Sequence, residues 1–242
     1  MNSSIQIIPV ANLALAFIPV LVVAAILYKW SLGSGFLLYA SARMVIQLLL
    51  VGYVLTYIFA VNHAALVIAV LAIMLVIASS IALRPLKIRH RLLYAKALAA
   101  ITVGGGLTLL LITQGVLSLN PWFSPRYLVP LGGMIFANAM NTVSLAAERF
   151  EAEIGNAVHY NEARRTALRA SLIPLINSLL AVGLVSFPGM MTGQILSGES
   201  PLLAVRYQIM VMCMIFGSAG ISAACFLVLL RPDDENPGAE GI

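Results

Sequence analysis

Charge is scarce in this chain, and acidic charge is scarcer than basic. Nine Asp and Glu and fourteen Lys and Arg make up 10% of 242 residues, of which 61% are hydrophobic. A soluble domain of this length must show water a charged exterior, so the composition excludes one and indicates a polytopic membrane protein. The acidic residues (Glu148, Glu151, Glu153, Glu162, Glu199, Asp233, Asp234, Glu235 and Glu240) all lie between or after the apolar runs, as do His63, His90 and His159. Without a carboxylate or imidazole inside an apolar run, a proton relay or an intramembrane hydrolase has no group to work with. There is also no G-x-x-x-x-G-K-[ST] phosphate loop; "VGGGLTLL" (103–110) lacks the lysine that would reach phosphate. Energy for uphill movement would therefore come from another chain. The two cysteines, Cys213 and Cys225, both fall in the last apolar run, which argues against a disulfide framework or a zinc knuckle. "MNSSIQIIP" has no basic n-region and no small-residue cleavage pattern follows, so a retained first span is expected, not a signal peptide.

What is present is a series of long apolar runs. They predict an all-α transmembrane bundle of about seven spans, near 7–28, 36–60, 64–83, 97–115, 127–146, 173–196 and 204–230. Residues 1–231 read as one transmembrane domain and 232–242 as a polar tail of disordered composition. With an odd number of spans the termini lie on opposite sides. An external N-terminus puts Lys29, Arg84, Lys87, Arg89, Arg91, Lys96, Arg149, Arg164, Arg165, Arg169 and Arg231 in the cytoplasm and leaves Arg126 as the clear external cation. That asymmetry predicts N-out, C-in. It also assigns the net charge of +5 to membrane topology and the lipid surface, not to nucleic acid.

The longest polar segment, 147–172, is expected on the cytoplasmic side as one or two short surface helices, or as a basic loop on anionic headgroups. Gly155-Asn156 is the expected break, and Asn161 a possible cap before Ala163, Ala167 and Ala170 at helical spacing. Pro174 is expected to start the next helix.

Few residues stand out as chemistry. Arg43 and Gln47 share a face one turn apart, either snorkelling or lining an inner cavity. Asn138 and Asn141 require partners in lipid and should face protein or a water-filled path, while Gly132, Gly133 and Ala137 allow close helix approach. Met210, Cys213 and Met214 share a helical face and serve either as flexible packing or as soft donors suited to Cu(I). "SFPGMMTGQILSG" (186–198) carries a breaker inside a span. Pro188 should kink or break it, Gly189 and Gly193 form a small-xxx-small pair, and Met190, Met191 and Gln194 should face an interface or a path.

Four blocks, "RMVIQLLLVGYVLTYIF" (43–59), "ITVGGGLTL" (101–109), "GGMIFANAM" (132–140) and "LIPLINSLLAVGLVSFPGMMTGQILSGESPLLAVRYQIMV" (172–211), closely resemble the FetB/YbbM-like permeases. These are membrane subunits of ABC transporters linked to iron homeostasis, with plant relatives linked to aluminium tolerance. The resemblance implies a non-enzymatic permease in a bacterial inner membrane. It would be a homodimer coupled to a separate ATPase that holds ATP-Mg, with no cofactor on this chain. It implies that 147–172 docks on that ATPase, with Glu151, Glu153, Gly155, Arg164, Arg165 and Arg169 as coupling candidates, and "RTALRASLIP" (165–174) matches the family there. The cargo implied is iron or another metal ion or complex. An ATP-independent channel or carrier and a non-transporting assembly partner are the alternatives.

Overall fold

The computed structural model describes residues 9–32, 34–60, 63–86 and 90–230. Lys87, Arg89, Arg231 and the tail 232–242 lie outside these residues. The described chain is all helix, with one isolated bridge between Val182 and Ser186.

Two compact units divide it. The first contains α1 (Val10–Leu15), α2 (Ile18–Lys29) and α3 (Ser34–Ala60). The break between α1 and α2 falls just before Pro19, which takes a first-turn position of α2, where a missing N–H costs nothing. α2 and α3 pack on each other, and their apolar side chains are otherwise exposed almost throughout, as Leu48, Leu49 and Leu50 are. Such a surface suits hydrocarbon and not water. Arg43 and Gln47 both sit exposed on α3.

The second unit holds α4 (Ala64–Ala82), a rod from Arg91 to Val116, α7 (Pro125–Gly155), α8 (Tyr160–Ala181), the body of α9 (Gly189–Leu196) and α10 (Pro201–Leu229). The rod alternates α5 (Arg91–Ile101), a π segment (Thr102–Gly106), α6 (Leu107–Leu110) and a second π segment (Leu111–Val116). Here α7 and α10 form the centre, with α4, the rod and α8 packed around them.

Lipid tails are as apolar as leucine, so such helices are held by close van der Waals fit between small residues. Gly104 lies against the backbone of Ser218 and Ser222 on α10. Gly132 and Gly133 receive Leu71 and Met74 of α4, the close approach expected of that pair, whereas Ala137 is exposed. On the far side Ala146, Ala167, Ala223 and Leu227 form a second buried cluster joining α7, α8 and α10.

Among the described residues six segments are long and apolar enough to cross a membrane: Asn12–Lys29, Ser34–Phe59, Ala64–Ala82, Arg91–Val116, Pro125–Gly155 and Pro201–Leu229. The other expected span, 173–196, is discontinuous. α8 ends at Ala181, Gly183 turns through a left-handed φ of 83° and its N–H donates to the Ser186 carbonyl at 3.0 Å. The break therefore precedes Pro188, which leads into α9 and accepts the Thr192 N–H at 3.0 Å.

Three local expectations need correcting. Residues 147–172 are not separate short surface helices: α7 and α8 overrun the apolar region and meet at a tight turn after Gly155. The cap of α8 is His159, whose Nδ1 accepts the Asn161 N–H at 3.4 Å, not Asn161 itself. Pro174 sits inside α8, where the Ser178 hydroxyl donates to its carbonyl at 3.0 Å. His63, His90 and His159 each precede a helix, so all three histidines are placed at helix starts.

Candidate functional site

Three cavities in the second unit are lined by α10, and each is apolar with a few polar or sulfur-bearing groups. The first, about 300 Å³, lies between α7, α9, α10 and the end of the rod. It gathers Arg126, Tyr127, Met134, Met190, Tyr207 and Met210.

The second, about 330 Å³, opens between α8, α9 and α10. Gln208, Met212 and Cys213 reach it from α10, Met191 from α9, and Leu179 and Gly183 from α8 and the break. Gln208 and Met212 are four apart and so stack on one helical face. Gln208 is only 6% exposed, and its side-chain oxygen is buried without a hydrogen-bond partner. A buried orphan amide oxygen is costly, and such a group wants a ligand or water. The third cavity, about 120 Å³, continues from the second through shared Leu179 and Met212 to Asn138, Ser178 and Phe216.

The α8–α9 break explains this arrangement. Irregular backbone between α8 and α9 lets the adjacent Met190 and Met191 line different cavities, each shared with α10. The structure thus brings Met190 together with Met134 and Met210, and Met191 with Gln208, Met212 and Cys213. Asn138 lines the third cavity while its amide donates to the Met134 carbonyl at 2.8 Å.

Other candidates fall elsewhere. Asn141 is exposed and lines none of the three cavities. Gly189 and Gly193 have open space where a Cβ would sit, so among the described residues no helix of this chain is seated at that face of either glycine. Met210, Cys213 and Met214 are not one donor set: Met210 and Cys213 line different cavities, and Met214 is buried in the core. A shared helical face does not determine which neighbour each side chain meets. Among the described residues no group of three His, Cys, Asp or Glu could hold a metal ion. Gln208 escaped the sequence reading, although an amide one turn before Met212 in an apolar helix was the available signal.

The coupling candidates cluster at the α7–α8 turn. Arg149 pairs with Glu153 at 2.5 Å along α7, while Arg165, Arg169 and Gly155 are exposed. Glu148, Glu151, Gly155 and Asn156 with Pro85 bound a polar notch of about 420 Å³. Behind the turn, the Tyr160 hydroxyl donates to the Leu227 carbonyl near the end of α10 at 2.9 Å. Its ring meets Phe150 edge-on at 5.8 Å and lies 5.6 Å from the Arg164 guanidinium. Tyr160→Phe deletes that hydrogen bond and is expected to cost about 1 kcal/mol, read as a lower unfolding temperature of the purified protein.

The profile of the uncharacterised protein family UPF0014 matches residues 10–162 and 155–233. The chain is 35% identical over 234 residues to the probable iron export permease protein FetB of Escherichia coli strain K12, covering 89% of each. It is 38% identical over 197 residues to the UPF0014 membrane protein slr1647 of Synechocystis, covering 75% of this chain and 76% of that one. It is 31% identical over 235 residues to the protein ALUMINUM SENSITIVE 3 of Arabidopsis thaliana, covering 90% of this chain and 85% of that one. No solved structure matches it.

Proposed function

Because the chain belongs to the UPF0014 family and is an integral multi-pass membrane protein, we propose that it is the membrane subunit of an ATP-driven exporter. It would act as a homodimer in a bacterial inner membrane, with ATP-Mg on a separate ATPase subunit and a metal ion or complex as cargo. Support comes from the relative named as a probable iron export permease and from the missing phosphate loop.

The observation that carries the reading is mechanical. The exposed, charged α7–α8 turn is fastened through Tyr160 to α10, and α10 lines all three cavities. With the basic segments cytoplasmic, an ATPase pressing on that turn would move the helix that shapes the path. Glu151, Glu153, Gly155, Arg164, Arg165 and Arg169 would form the docking face. Asn138 and Gln208 offer the path its polar contacts, in a region where an amide needs a partner.

Reconstitution of the chain with its ATPase in liposomes tests this. ATP hydrolysis stimulated by the permease, together with ATP-dependent metal flux, is the expected result. ATP-independent flux from the chain alone would replace it with the channel or carrier reading, which the discontinuous α8–α9 segment also suits. Asn138→Leu is expected to lower ATP-driven flux by roughly tenfold, the equivalent of one lost polar contact. Unchanged flux in a folded Asn138→Leu protein would point to an assembly partner with no path of its own.

A further inference from the structure

We propose that the cavity between α8, α9 and α10 is a binding site for a soft monovalent metal ion of the Cu(I) or Ag(I) type. The donors would be Cys213, Met191 and Met212, with Gln208 as a weaker oxygen donor. As the cargo site, this deepens and rests on the exporter reading; as a binding site, it stands by itself.

Four potential donors on two helices line one space of about 330 Å³: a thiol, two thioethers and an amide oxygen. Thiolate and thioether ligands select soft ions such as Cu(I), whereas hard cations take carboxylate, carbonyl and water oxygens. Among the described residues the cavity has no carboxylate; its remaining lining is Leu179, Val182, Gly183, Val205 and Ile209. The independent sign that it awaits a ligand is Gln208, 6% exposed, with Oε1 buried and unpartnered. Sulfur side chains cannot donate a useful hydrogen bond to that oxygen, but a bound cation or its water can.

Charge balance selects the valence. Among the described residues Cys213 is the only ionisable group in the lining. On binding, its S–H proton leaves to solvent and the sulfur lone pair forms the S–metal bond, so one positive charge enters as one leaves. A monovalent ion on one thiolate gives a neutral complex with no change of oxidation state. A trivalent ion would keep two net charges in an apolar cavity, and the desolvation cost of a bare ion scales with the square of its charge, roughly ninefold from one to three. The cavity therefore suits neither bare ferric iron nor bare aluminium.

Ag(I), which is redox-stable, is the probe. The purified full chain in nanodiscs, without ATPase, is incubated with Ag(I), desalted and assayed for silver per chain. Retention of one Ag(I) is expected, lost in Cys213→Ser and kept in Cys225→Ser. Met212→Leu and Gln208→Leu are each expected to weaken binding by roughly tenfold. Gel filtration and circular dichroism establish that each variant is folded. Wild-type protein that retains no Ag(I), or folded Cys213→Ser that retains it fully, overturns the site. Ag(I) bound as expected without ATP-coupled flux overturns the exporter and upholds the site; ATP-coupled flux with no Ag(I) bound does the reverse.

Discussion

Gly104→Leu should prevent assembly of the second unit, and Gly104→Ala should already weaken it. A Cβ at Gly104 would lie 2.6 Å from the Ser222 backbone nitrogen and 2.9 Å from the Ser218 carbonyl, with the Ser222 hydroxyl closer still. The two close backbone atoms belong to α10 and cannot rotate aside like the end of a side chain. The rod and α10 would have to separate, and overpacking of this kind costs about 1–3 kcal/mol for small insertions and more for large ones. Separation would also expose Ser218 and Ser222, which are fully buried at that contact. In lipid no hydrophobic force restores a lost fit. Fluorescence-detected size exclusion and thermal unfolding should show Gly104→Leu aggregated and Gly104→Ala destabilised. Gly106→Ala, with open space around it, should behave like wild type. A monodisperse Gly104→Leu protein with unchanged unfolding temperature would contradict the packing.

The same glycine shows what the sequence could and could not disclose. Length and composition alone locate the six continuous apolar helices, because lipid leaves the backbone no alternative to internal hydrogen bonding. Small residues in "GGM" announce a close helix contact but not that Gly132 meets α4, and the sequence reading attached no contact to Gly104, which meets α10. Prolines misled for a related reason. Pro174, expected to start a helix, stays inside α8. The break credited to Pro188 comes instead at Gly183, whose left-handed φ closes a turn before the proline is reached. Charge misled at 147–172: the segment reads as short surface helices or a basic loop, although Glu and Arg are good helix formers and extend two long helices. The donor set at the site was hidden most deeply. Met191 joins Met212 and Cys213 at one cavity only because the chain breaks between α8 and α9, and helical periodicity cannot foresee that.

Reversing charge at the α7–α8 turn should sever docking, whereas removing Tyr160 should leave docking and sever coupling. Arg165 is exposed and Arg164 half-buried beside Tyr160, so neither holds the core together. In an Arg164→Glu/Arg165→Glu chain the reversal of two positive charges on the proposed docking face should weaken binding to the ATPase by roughly two orders of magnitude. That loss should grow smaller at high salt, since screening weakens the wild-type attraction too. ATPase stimulation and flux should fall together because the complex no longer forms. Tyr160→Ala acts behind the docking face: it removes the hydrogen bond to Leu227, the edge contact with Phe150 and the stacking under Arg164. Those contacts are worth up to about 4 kcal/mol together, enough to loosen the turn from α10 without unfolding the alanine-rich seam of Ala146, Ala167 and Ala223. Affinity for the ATPase should then stay within about threefold of wild type, well under 1 kcal/mol, while metal moved per ATP hydrolysed drops at least tenfold, the equivalent of about 1.4 kcal/mol of lost coupling. Binding by pull-down or interferometry, set beside flux per ATP in liposomes, separates the two variants. Tyr160→Ala retaining full flux per ATP would show that force reaches α10 by another route, and the charge-reversed chain binding normally would move the docking face off this turn.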